Sequence, residues 1–131
     1  MRIIVLGATG MAGTAVVNEA LSRGHEVTAV SRRRRHRAGA GVTSCLLDVT
    51  DVGSVAGLLK DSDAAVVALR PPAGHESDLV RLTEAVLDAA SLSRTPLLII
   101  GGAAPLSSPS DPGTLAIDDP TIVPPAWRDV A

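Results

Sequence analysis

The chain has 131 residues, a net charge of -2, no Phe, no Tyr and one Trp, although 46% of it is hydrophobic. That length suits one domain able to bury roughly two-thirds of its unfolded surface, around a core that must be aliphatic. Nucleic acid and membrane surfaces are disfavoured as partners by the charge, a disulfide framework or CxxC metal site by the lone Cys45, and a Tyr/Lys catalytic pair by the missing tyrosines.

Arg2–Leu6 carries a continuous Ile-Ile-Val-Leu run, the pattern of a strand buried on both faces. It is too short for a membrane span and has no cleavage-site pattern behind it, so the expected compartment is the cytoplasm. Gly7–Gly13 reads as a glycine-rich turn. A helix follows over 11–23, with Ala12, Val16, Val17, Ala20 and Leu21 at helical spacing and Gly24 closing it. Glu26–Ser31 is a second strand. Five of the twelve basic residues then fall between Arg32 and Arg37, before a loop through Gly41.

Val42–Leu47 is a third strand, and 51–60 a short helix with Val55, Leu58 and Leu59 turned inward. Asp63–Leu69 is a fourth strand, stopped by Pro71 and Pro72. The strongest helix signal runs from His75 to Leu92, striped by Leu79, Leu82, Val86 and Ala90. Pro96–Ile100 is a fifth strand, ended by Gly101 and Gly102. Strands alternating with helices predict βαβ units and a Rossmann-type doubly wound parallel sheet of about five strands. Six of the nine prolines lie in the last 29 residues, so 1–102 is expected to be the binding domain and 103–131 a proline-rich extension. That irregular tail is expected to be disordered or loosely packed, with Trp127 as its one candidate anchor.

The segment Gly7-Ala8-Thr9-Gly10-Met11-Ala12-Gly13 carries the chemistry. Such a turn can serve βα packing alone, but after a buried strand and before a helix it reads as a dinucleotide-phosphate cradle. Gly7 would make the tight turn, Gly10 admit a pyrophosphate, and Gly13 let helix and strand close. The first amides of the helix would face the phosphates. An NAD site would place Asp or Glu about 20 residues beyond. Ser31 and Arg32 stand there instead, followed by Arg33, and a guanidinium grips a 2′-phosphate where a carboxylate repels it. Arg34 to Arg37 read as solvent-exposed.

Asp48, with Val49 beside it after the third strand, serves either the adenine amino group or a cap for the next helix. Leu69 and Arg70 end the fourth strand, where ligands of open α/β sheets lie, and Arg70 is a candidate for a cofactor phosphate or a substrate anion. His75 reads as a helix-start residue. His25 and His36 have no metal-ligand spacing, and Ser107 and Ser108 lack a His/Asp context. No catalytic residue is assigned.

These residues, with Arg23-Gly24-His25-Glu26-Val27-Thr28-Ala29-Val30, Asp48-Val49-Thr50-Asp51 and Gly101-Gly102-Ala103, resemble the atypical short-chain dehydrogenase/reductases. The resemblance is to their NAD(P)H-binding, NmrA-like and flavin-reductase-like branch, and covers Met1 to Gly102. It implies a Rossmann fold, NADP(H) as cofactor, and nicotinamide near the ends of the fourth and fifth strands. That branch commonly lacks the Tyr/Lys pair. The segment after Gly102 is shorter than the family's substrate region, and Leu69-Arg70-Pro71-Pro72 offers no evident proton donor. An exposed sheet edge, and with it either homodimerisation or marginal stability, is expected. The functions left open are an NADPH-dependent reductase of a small conjugated or flavin-like substrate, a non-catalytic NADP(H) sensor or regulator, and a truncated, inactive reductase.

Overall fold

A computed structural model describes residues 1–33, 39–102, 104–124 and 128. Five strands, β1 (Arg2–Leu6), β2 (Glu26–Ser31), β3 (Val42–Leu46), β4 (Ala64–Val67) and β5 (Leu97–Ile99), form one sheet in the order β3-β2-β1-β4-β5. Every pairing is parallel. Helices α1 (Met11–Ser22), α2 (Val52–Lys60) and α3 (Asp78–Ser93) cross between strands. Chain order reverses between β1 and β4, where the buried run Ile4, Val5 and Leu6 of β1 pairs with Ala65, Val66 and Val67 of β4. None of the described helices is long and apolar enough to cross a membrane.

Two aliphatic layers result. On one face α1 sets Val17 and Ala20 against Val5, Val27 and Ala29. On the other, α2 and α3 bring Val55, Leu59, Leu82, Val86 and Ala89 onto Ile4, Leu6, Val30, Ala65 and Val67. Alternate residues of one strand thus feed opposite layers, which is why these strands read as unbroken apolar runs. Leu58, expected to turn inward with Val55 and Leu59, is only partly buried. The last strand is an edge, and Leu98, Ile99 and Ile100 remain exposed there.

Two segments depart from the sequence reading. The third helix starts at Asp78, not His75. Gly74 takes a left-handed φ of 83° and donates its amide to the Glu76 carboxylate at 2.9 Å, so residues 72–77 form turns instead. The tail is irregular but not loose. Ser108 donates to the Asp119 carboxylate at 2.7 Å, as does Ser110, while the Thr121 hydroxyl donates to its other oxygen at 2.6 Å. Ala104, Ser108, Ala116 and Asp119 are buried. Those three hydroxyls, with the Thr121 amide, hold the Asp119 carboxyl well below the usual carboxylate range, the Thr121 hydroxyl contributing most. Arg34, Arg35, His36, Arg37, Ala103 and Trp127 lie outside the described residues.

Candidate functional site

The registers that join Leu6 to Val30 and to Val67 set the exit of β1 between the exits of β2 and β4. Gly7 leaves β1 with φ at 86°, a conformation that favours glycine. A Cβ there would overlap the Ala68 carbonyl oxygen and lie 2.8 Å from its carbon. The amides of Gly7 and Ala8 both donate to the Val30 carbonyl, at 3.1 and 3.0 Å. The turn is therefore stitched to β2 and pressed on β4.

Gly10 then caps α1 with extended backbone and no side-chain hydrogen bond, and the first turn carries no acidic residue. The amides of Met11, Ala12 and Gly13 have no intrahelical acceptor, as at every helix start. A neighbouring helix shows the contrast: Asp51 caps α2 by accepting from the Ser54 amide at 3.1 Å. The first helix is left open where its partial positive charge attracts an anion. A Cβ on Gly10 would meet only the Gly7 oxygen, at 3.4 Å, and otherwise open space.

A cavity of about 280 Å³ lies at this end of the sheet, bounded by the turn, the exits of β2 and β4, and α3. Of the residues expected from sequence, Gly7, Thr9, Gly10, Arg32, Arg33, Val49, Leu69 and Arg70 line it. Its volume falls just under the roughly 300–1,000 Å³ of small-molecule pockets, which suits one nucleotide half of a dinucleotide. Arg32 and Arg33 stand on the β2 side and Arg70 on the β4 side, all exposed. The residues present fit a dinucleotide phosphate, because Gly7, Thr9 and Gly10 of the turn line one cavity with these guanidinium groups, and the uncapped first turn of α1 begins beside Gly10.

Met11, Ala12, Gly13 and Asp48 do not line the cavity. The Met11 side chain is 92% exposed, so its amide is what it can offer. Gly13 acts inside the turn. The Asp48 carboxylate closes a local turn, taking the Thr50 amide at 3.0 Å and hydroxyl at 2.8 Å on one oxygen. Those donors, chiefly the Thr50 amide, hold its carboxyl below the usual range, with Arg32 and Arg81 adding attraction. The helix cap is thus Asp51, and one Asp48 oxygen stays free of Thr50. His75 is exposed in the turn before α3, its Nδ1 4.0 Å from Asp78.

Sequence reasoning missed Val30, Ser31, Leu47, Ala68 and Leu82 as lining residues. Leu82 lies in the apolar stripe of α3, and only the packing of α3 over the reversal point brings it here. A larger groove, about 730 Å³, runs between α2 and β2–β3 past Thr28, Thr43, Cys45 and Leu58. It lies away from the glycine turn. Among the described residues no buried side-chain polar atom lacks a partner.

A family model for NAD(P)H binding matches residues 7–127. The uncharacterised Bacillus subtilis protein YwnB is 33% identical over 121 residues, which are 92% of this chain and 56% of YwnB. A candidate epimerase from Bacteroides thetaiotaomicron superposes with a TM-score of 0.83 at 28% identity, over 98% of this chain and 58% of that one. A candidate NADH-flavin reductase from Streptococcus pneumoniae gives 0.75 at 27% identity, over 99% and 60%. The chain spans less than two-thirds of the length of each of these relatives. The match to the family model takes in the glycine turn, strands β2 to β5 and the tail as far as residue 127, and the chain belongs to the NAD(P)H-binding family of Rossmann-type atypical short-chain dehydrogenase/reductases.

Proposed function

We propose that this protein binds NADP(H) and serves as an NADPH-dependent oxidoreductase of a small conjugated or flavin-like acceptor, with the cytoplasm as its compartment. The observation that carries the cofactor choice is the pair Arg32 and Arg33 on the cavity wall, where an NAD site would carry a carboxylate. Two guanidinium groups can take a 2′-phosphate through bidentate, charge-assisted hydrogen bonds. The amides of Met11, Ala12 and Gly13 would hold the diphosphate, with Arg70 beside it from the β4 side. Val49, Leu69 and Leu82 give the adenine an apolar bed.

Bound NADPH supplies a hydride, and the protein's part is to bind and orient. No tyrosine exists to donate a proton, and the only lysine, Lys60, is exposed in the last turn of α2. Solvent is then the proton source. One observation favours a second reading, a non-catalytic NADP(H) sensor. Among the described residues the cavity lining holds no Asp, Glu, His, Lys or Cys.

Turnover separates the two readings. The loss of NADPH absorbance is followed with a panel of quinones, flavins and enones, beside a binding titration. Steady oxidation supports the reductase. Saturable binding with no turnover on any acceptor selects the sensor, and no binding at all defeats both.

A further inference from the structure

Thr14 is absent from every feature read above, yet its side chain makes an unusual bond. A helical threonine hydroxyl ordinarily turns back to the carbonyl three or four residues earlier on its own helix. The Thr14 hydroxyl instead donates to the Ala8 carbonyl, six residues back, at 3.1 Å. Its own amide makes the first helical bond, to the Gly10 carbonyl, at 2.9 Å. One residue therefore ties both limbs of the turn, the strand side through Oγ1 and the helix side through N.

Ala8 is fully buried, and its amide is already committed to the Val30 carbonyl. Thr14 completes the backbone pairing of Ala8 by occupying its carbonyl. Between Ala8 and Thr14 lie residues 9–13, of which Thr9, Gly10 and Met11 are exposed, and the strand-to-helix passage contains glycines at 7, 10 and 13. Glycine loses the most conformational freedom on ordering, so such a turn drifts unless it is tied. The remaining local tie is the Gly10 amide on the Gly7 carbonyl, at 3.1 Å.

We propose that Thr14 is a positioning residue, whose hydroxyl fixes the direction of the free Met11, Ala12 and Gly13 amides relative to β1 and β2 and so sets the strength of diphosphate binding. This rests on the cofactor reading above. The diphosphate is common to NADH and NADPH, so Thr14 governs both equally. Arg32 and Arg33, by contrast, act on the 2′-phosphate alone.

The experiment compares the wild type with Thr14→Val, nearly isosteric without the hydroxyl, and Thr14→Ser, which keeps it. NADPH and NADH are each titrated, and amide exchange at residues 9–13 is measured without cofactor. Thr14→Val is expected to weaken both cofactors by the same factor, about five- to tenfold for one hydrogen bond, and to speed exchange in the turn. Thr14→Ser is expected to stay within about twofold of wild type. If Thr14→Val does not fold, Thr14→Ala carries the same expectation. Unchanged affinity in the hydroxyl-free variant, loss of NADPH affinity alone, or Thr14→Ser as weak as Thr14→Val would each overturn the proposal while wild-type binding leaves the cofactor reading standing. A wild type that binds neither cofactor overturns both.

Discussion

Gly13 packs against Gly7 so closely that a Cβ at position 13 would overlap the Gly7 carbonyl oxygen and lie 2.8 Å from its carbon. Those two atoms and the Ala8 Cα, at 2.9 Å, are all backbone, so no side chain can swing aside. Gly13→Ala is therefore expected to destabilise the domain by about 1–3 kcal/mol, the usual cost of forcing extra atoms into a packed site. Thermal unfolding measures it, and an unchanged Tm would contradict the packing of the turn.

Gly10 separates folding from binding. Its φ of −76° is open to any L-residue, and its Cβ direction is clear apart from the Gly7 oxygen. Gly10→Val is expected to melt within a few degrees of wild type and to lose NADPH affinity by about 100-fold or more, because the side chain fills the phosphate position. Wild-type affinity in a folded Gly10→Val protein would remove the phosphate cradle from the account.

The tail gives a prediction in pH. The folded Asp119 carboxyl lies below its usual value of 3.8, so its contribution is present above that value and is lost as pH falls through the folded one. Limited proteolysis of residues 104–124 should therefore accelerate between about pH 5 and pH 2. Asp119→Asn should be cleaved faster than wild type near neutrality, and the difference should shrink toward the acid end. A gap between the two that is constant with pH would show that the charge of Asp119 does not order the tail.

The sheet was legible in the sequence because its strands are buried on both faces. The runs around Ile4, Val30 and Val66 have no other stable home than a parallel sheet covered by helices. The start of α3 was not legible, since Glu76 and Asp78 favour a helix N-terminus in any frame, while the bond from Gly74 to Glu76 that delays the helix is specific to this turn. The order of the tail escaped for a related reason. It is built from short polar bonds among Ser108, Ser110, Asp119 and Thr121, which leave no apolar periodicity to read. In the cavity, the residues that a local motif can carry were found, whereas Leu82, delivered by the packing of α3 over the sheet, was not. Thr14 was missed because its partner lies outside the helical spacing at which threonine bonds are sought.

Arg32 tests the central claim most directly. NADPH and NADH are titrated calorimetrically into wild type and into Arg32→Ala, with folding of the variant confirmed first. Charged hydrogen bonds to a 2′-phosphate should contribute about 1.5–3 kcal/mol, so wild type is expected to prefer NADPH by roughly 10–150-fold. Arg32→Ala is expected to lose most of that preference while binding NADH almost as before. Equal affinities in the wild type, or tighter binding of NADH, would contradict the assignment of this cavity to NADP(H).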